Sequence, residues 1–203
     1  MTVKQFEKLS KKRKAVLVAQ DVLAQIKAKK YIAATGNYVS LINTENIQNN
    51  KQINTQFDNI KECEVCALGS MLMSCTHLGN KLTFKDIGLD LKGLSWDSDK
   101  VGLDDLKNKK VEKLFSSIFD DHTLLMIETA FESYEHNSNY YGELEKESFE
   151  YHQESTRYGE SCSLTFEEVI ACNKFYKKYS TDEGRLKAIC NNIVKNEGSF
   201  IIK

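Results

Sequence analysis

Cys63-Glu64-Val65-Cys66 is the sharpest candidate for chemistry in the chain. A Cys-x-x-Cys pair at a helix start suits redox work, because the helix N-terminus lowers the first thiol's pKa. Thioredoxin-type enzymes place a cis-proline beside such a pair, and this chain has no proline. No βαβ pattern precedes the motif either. Zinc is the second reading, since Cys63, Cys66, Cys75 and His77 are all ligand types. Residues 66–75, however, read as one continuous helix, which sets its ends about 13 Å apart, too far for one ion. A zinc deaminase needs His-x-Glu upstream of Pro-Cys-x-x-Cys, and no histidine precedes His77. The residues favour a structural role, with Cys66 in the core and Cys63 at the start of a buried helix Cys63–Ser74.

The remaining chemical groups give weaker patterns. His77, His122, His136 and His152 have no serine or cysteine at triad-like spacing and read as surface histidines. Asp104-Asp105, Asp120-Asp121 and Glu167-Glu168 could serve two-metal or glycosidase chemistry if they converged. Each pair falls at a helix start instead, where carboxylates favour the positive dipole end. No Gly-x-Gly-x-x-Gly or Walker A stretch is present, so nucleotide binding has no support. The residues therefore assign no catalytic residue, no metal site and no cofactor.

Charge is more informative. The net charge is −1, yet its distribution is lopsided. Lys8, Lys11, Lys12, Arg13, Lys14, Lys27, Lys29 and Lys30 crowd the start of the chain and could meet phosphates. Such contact would be sequence-independent, since lysine is a point charge rather than a bidentate fork. Residues 128–168 carry eleven Glu. Within them, Glu143, Glu145, Glu147 and Glu150 with Tyr140, Tyr141 and Tyr151 could offer an acidic, aromatic surface to a basic partner.

The elements that must position these groups are mostly helices. Ser10 is a plausible N-cap for a helix over 11–30, whose apolar positions run from Ala15 to Ile26. Tyr31-Ile32-Ala33 and Tyr38–Leu41 flank Gly36-Asn37 and suggest a short hairpin, or one strand after a turn. Residues 43–61, rich in Asn and Gln, read as a long, flexible polar loop. A short helix is expected near Thr83–Ile87. Amphipathic helices follow over Asp104–Ile118 and from Asp120, joined by a tight corner. An acidic segment occupies about 135–160, with a helix near Glu143–His152. Thr165 and Glu168 form a capping box for a helix to about Tyr179. Thr181 opens the last helix, and Gly198 fits its C′ stop. Ser199–Ile202 could be a terminal strand beside Tyr38–Ile42. The reading is a mainly α fold of about six helices in one domain, residues 1–203, with a minor hairpin or terminal strand pair.

Composition agrees with such a domain. The chain has 203 residues, 41% hydrophobic and 28% charged, enough to build a core. Its six cysteines, without an export signal, are expected to be reduced thiols. No eighteen-residue apolar run occurs, so no membrane span or membrane partner is expected. The N-terminus lacks a signal-peptide pattern, which points to the cytoplasm.

Four stretches together carry a resemblance. They are Ala19–Ile26 with Gly36-Asn37-Tyr38-Val39, Cys63–Ser70, Leu125–Glu132, and the tail Arg185–Asn196 with Gly198-Ser199-Phe200. The chain resembles a family of small uncharacterised proteins of phage and mobile-element genomes, over most of its length. The resemblance transfers no catalytic residue. It implies a context: a phage protein that evades host defence by binding and blocking a host machine, with a CRISPR effector as one target. With the charge polarity, this gives the leading expectation of a non-enzymatic protein that inhibits or modulates a host nucleic-acid machine in the host cytoplasm. An anti-CRISPR-type inhibitor of a Cas ribonucleoprotein is its most concrete form. The partner would be a host nuclease or other nucleic-acid-handling complex, with RNA a candidate ligand. A stand-alone RNA- or DNA-binding module is the first alternative, and a Cys-x-x-Cys redox or zinc protein the second.

Overall fold

Side-chain caps set where the long helices begin. The computed structural model describes residues 3–36, 38–48, 50–79, 81–87, 100–101, 109–132 and 164–202. After a short α1 (Val3–Glu7), Ser10 Oγ accepts the Arg13 N–H and starts α2 (Lys11–Lys27). Ala15, Val18, Ala19, Val22 and Ile26 of α2 are buried, as their spacing predicts. The helix stops before the expected Lys30. Lys29 N–H reaches Ile26 O and Lys30 N–H reaches Gln25 O. This Schellman closure puts Lys29 at φ 59°, a seat usually taken by glycine.

A four-stranded sheet follows, in the order β1-β3-β2-β4. Its strands are β1 (Tyr31–Ala33), β2 (Val39–Thr44), β3 (Ile60–Val65) and β4 (Lys100–Val101). The two arms of the expected hairpin are both strands, but they do not pair with each other. β3 lies between them, parallel to β1 with Tyr31 opposite Cys63 and antiparallel to β2 with Val39 opposite Val65. Ile60, Cys63 and Val65 of β3 are buried.

The expected polar loop over 43–61 is therefore largely structured. Asn43 and Thr44 finish β2, α3 (Ile53–Gln56) runs into a 3-10 turn at Phe57–Asn59, and β3 begins at Ile60. Ile53, Phe57 and Ile60 anchor it in the core. The buried Gln56 amide replaces missing ladder bonds: Oε1 accepts from Gln48 N–H, and Nε2 donates to Gln48 O and Lys51 O. Such satisfaction is what allows a polar group inside.

α4 (Ala67–Gly79) is buried over nearly its whole length. It starts after the Cys-x-x-Cys pair, so the expected helix start at Cys63 is corrected: Cys63 is a strand residue. The turn Lys85–Ile87 matches the short helix expected there. Then come α5 (Lys109–Ser116), α6 (Asp121–Glu132), α7 (Phe166–Lys178) and α8 (Asp182–Lys195). The caps are those the sequence indicates. Asp120 accepts from Thr123 N–H, Thr165 and Glu168 form the reciprocal box, and Thr181 accepts from Gly184 N–H. α8 lies against α2, α7 against α6, and α4 against α2. The fold is mainly α with a minor β part.

Two expectations at the end of the chain change. Glu197, at φ 53°, takes the C′ seat of α8, and Gly198, at φ 99°, comes next. A Cβ on Gly198 would fall 2.4 Å from Lys12 O, so glycine lets the tail turn sit against α2. Residues 199–202 form no strand. Ile201 instead pairs its backbone with the Asn192 amide, donating to Oδ1 at 2.9 Å and accepting from Nδ2 at 2.6 Å. The helix expected near Glu143–His152 and the start of that expected over Asp104–Ile118 lie outside the described residues.

Candidate nucleic-acid interface

The basic side chains of α2 divide into two groups. Lys11 and Lys27 stand about 24 Å apart along the axis, at a rise of roughly 1.5 Å per residue, so the eight cations cannot form one patch. At the first end, Lys8, Lys11, Lys12 and Arg13 are exposed, and among the described residues none of them forms an ion pair. Lys14 is half-buried, with Nζ 6.0 Å from the centre of the Phe6 ring. This end is a helix N-terminus without an acidic residue in its first turn. Helices favour carboxylates there, because their unpaired N–H groups carry partial positive charge. Lys11, Lys12, Arg13 and Lys14 add to that charge. The resulting field suits an anion. Asp120 is close enough to feel it. Burial raises the Asp120 carboxyl pKa, but hydrogen bonds from Thr123 and the charge of Lys11 hold it below the ordinary value.

The second end offers less. Lys27 and Lys29 are exposed, but Lys30 is committed inward. Its Nζ donates to Phe57 O at 2.9 Å and lies 4.4 Å from the Phe57 ring centre. Burial lowers its pKa, with partial compensation by Asp58. Lys30 thus packs on Phe57, unlike the outward-facing Lys27 and Lys29. The acidic candidates Glu143, Glu145, Glu147, Glu150, Tyr140, Tyr141 and Tyr151 all lie outside the described residues.

Three polar arrangements were not evident from the sequence. The first joins Asp21 of α2 to His77 of α4, with Nδ1 3.1 Å from Oδ1 and 3.2 Å from Oδ2. Gln25 Nε2 donates to the same carboxylate, and the imidazole stacks on Phe57 at 3.9 Å and 14°. This resembles the orienting half of a triad, yet no described serine or cysteine hydrogen-bonds the ring. His77 is therefore a fixed, half-buried residue rather than the surface histidine expected. His122 does sit in the first turn of α6, as expected, with Nε2 3.0 Å from Glu168 Oε1. His136 and His152 lie outside the described residues.

The second arrangement ties the β1–β2 connection to the helices. Thr35 N–H donates to Asp182, Gly36 N–H to Glu132, and the Tyr38 hydroxyl to Glu128 at 2.7 Å. Carboxylates of α6 and α8 thereby satisfy backbone that no strand reaches. The third is Arg185, 3% exposed. It bonds Asp182 and donates to Tyr179 O, with its guanidinium 4.1 Å from the Tyr176 ring centre. A planar guanidinium fits such a stacked site better than lysine would.

The described thiols are poorly suited to nucleophilic work. Cys63, Cys66, Cys75, Cys172 and Cys190 are free and buried. Burial pushes the Cys63 thiol up to about 12, despite the opposing charge of Lys30. Burial raises Cys66 further still, and Gly69 N–H, donating to its sulfur, offsets this only in part. Reactive cysteines need the opposite, a thiolate-stabilising and accessible setting. Among the described residues, no group of three or more His, Cys, Asp or Glu side chains could hold a metal ion. Asp104-Asp105 lies outside the described residues; Asp120 and Glu168 act as helix caps. Among the described residues no helix is long and apolar enough to cross a membrane. No protein-family model, curated protein or solved structure matches the chain.

Proposed function

We propose that the chain is a non-enzymatic binding protein that acts on a host nucleic-acid machine, meeting nucleic-acid phosphates with the first turn of α2. One observation carries this reading: Lys11, Lys12 and Arg13 stand exposed at the positive end of the helix dipole and, among the described residues, form no ion pair. That placement disfavours the isolated helix by a few tenths of a kcal/mol per charge or more. An anionic ligand reverses the sign of the effect. Lysine recognises phosphate as charge, so the contact is to the backbone of RNA or DNA rather than to base sequence. The resemblance to phage and mobile-element proteins supports the most concrete form, an anti-CRISPR-type inhibitor of a Cas ribonucleoprotein in the host cytoplasm. Burial of the described thiols weighs against the Cys-x-x-Cys alternative.

A salt titration tests the contact. Binding of a fluorescent single-stranded oligonucleotide should weaken linearly in log–log form, with a slope of roughly −0.7 per phosphate neutralised. Lys11→Glu with Lys12→Glu should flatten that slope by about two contacts. Absence of binding at low salt would remove the reading. A pull-down from host lysate separates the two forms. Recovery of a nuclease complex supports the inhibitor, and recovery of nucleic acid alone supports the stand-alone module.

A further inference from the structure

A groove runs between α7, the last turn of α8 and the returning tail. It encloses about 830 Å³, within the roughly 300–1,000 Å³ usual for binding clefts. Its floor is apolar: Phe166, Ile170 and Phe175 of α7 face Ile201 and Ile202 of the tail. Ile201 is 43% exposed, so the floor is open to solvent. The wall is fixed. Phe175 meets Phe200 edge-on at 5.8 Å, and the Asn192 amide clamps the backbone of Ile201.

The rim has one dominant sign. Among the described residues, Lys174, Lys178 and Lys195 line it with a single acid, Glu167. All three lysines are exposed, and among the described residues none of them forms an ion pair. Lys174 and Lys178 are four apart on α7 and share a side of that helix. An apolar trough with a cationic edge is complementary to a helix whose one face is apolar and whose flanks are acidic. Nucleic acid fits less well, because a phosphate backbone would follow the lysines and leave the aliphatic floor uncovered.

We infer that this groove is a docking site for an acidic amphipathic helix of a partner protein. This goes beyond the phosphate contact of α2 and uses different residues. The occupant's apolar side chains fill the trough over Ile170 and Ile201, and its glutamates meet Lys174, Lys178 and Lys195. Helix-in-groove recognition of this kind reads anchors at i, i+3, i+4 and i+7.

The test uses the full chain and a fluorescein-labelled synthetic helix with Leu and Phe at those four positions and Glu at the others. Anisotropy should show saturable binding. Lys174→Glu with Lys178→Glu should weaken it at least tenfold, and Ile201→Asp should do likewise. Lys11→Glu with Lys12→Glu should leave it unchanged, so failure here is separable from failure of the nucleic-acid reading. These are exposed positions, and circular dichroism verifies that each variant is folded. No binding by the wild-type chain overturns the proposal. So does equal binding of a peptide with Gln in place of Glu, or insensitivity to the groove substitutions. Displacement of the peptide by an oligonucleotide that binds wild type but not the Lys174/Lys178 variant would make the groove a nucleic-acid site and also overturn it.

Discussion

The Asp21 carboxylate and the His77 imidazole meet across two core helices, Nδ1 3.1 Å from Oδ1. The pair links α2 to α4. Asp21 is only 10% exposed at its side chain, so losing its partner would leave a poorly solvated carboxylate. Asp21→Ala should lower unfolding free energy by about 1–2 kcal/mol. In a double-mutant cycle with His77→Ala, urea denaturation should reveal a coupling of about 1 kcal/mol. Additive single effects would mean that the contact contributes nothing.

Gly69 has a stricter requirement. A Cβ there would fall 1.5 Å from Tyr38 O, a backbone atom. That carbonyl is already held, accepting from Cys66 N–H at 3.2 Å, while the Tyr38 hydroxyl is anchored on Glu128. The backbone must move to admit even a methyl group. Gly69→Ala should cost about 3 kcal/mol or more, in the range reserved for core overpacking. A melting temperature within a few degrees of wild type would contradict this.

Thr165 and Glu168 form a reciprocal cap at the start of α7, with Thr165 N–H donating to Glu168 Oε2 at 2.8 Å. Thr165→Ala should destabilise by about 1 kcal/mol. Glu168 also meets His122, so Glu168→Ala should cost more than Thr165→Ala in the same chemical denaturation series. The reverse ranking would show that the link to α6 carries no stability.

These caps were legible in the sequence because they are local: a side chain and a backbone N–H three residues on. The packed face of α2 was legible for the same reason, as period alone identifies it. The sheet was not. β3 contains Lys61, Glu62 and Glu64 beside its buried Ile60, Cys63 and Val65, and its insertion between β1 and β2 depends on pairing at a distance. The lysine run could be read as residues but not as two separated ends, nor could the inward turn of Lys30 onto Phe57 be foreseen. The groove was hidden more deeply still. Ile170 and Ile201 belong to segments whose approach depends on the Asn192 clamp, which leaves no periodic signal.

The buried thiols give a pH dependence with a definite sign. Cys63 and Cys172 are pushed from 9.0 to about 12 by burial. Folding therefore favours their neutral form. That contribution is complete below about pH 9, where unfolded thiols are also protonated, and is lost as pH rises towards 12. Unfolding midpoints in urea should fall steadily across that window. At pH 8, a disulfide reagent should find Cys63 and Cys172 almost wholly protonated and slow to react in the native state. Both should react at once in denaturant. Fast native modification mapped to Cys63 would reopen the redox reading.

The most discriminating prediction sets stability against binding at one turn of helix. Lys11 and Lys12 occupy the first turn of α2, where the dipole favours acids. If they serve the fold alone, reversing them should destabilise or do nothing. If they serve a ligand, Lys11→Glu with Lys12→Glu should raise unfolding free energy by about 0.3–1 kcal/mol, since each glutamate complements the N-terminal N–H groups while the attraction of Lys11 for Asp120 is lost. The same variant should lose oligonucleotide affinity, most steeply at low salt. Opposite movements of the two quantities are the mark of a site where activity and stability conflict. Reversal of Lys27 and Lys29, at the negative end of the same helix, should destabilise instead, because cations belong there. A chain that loses both stability and binding on reversal of Lys11 and Lys12 would assign those lysines to the fold and leave the phosphate contact without its residues.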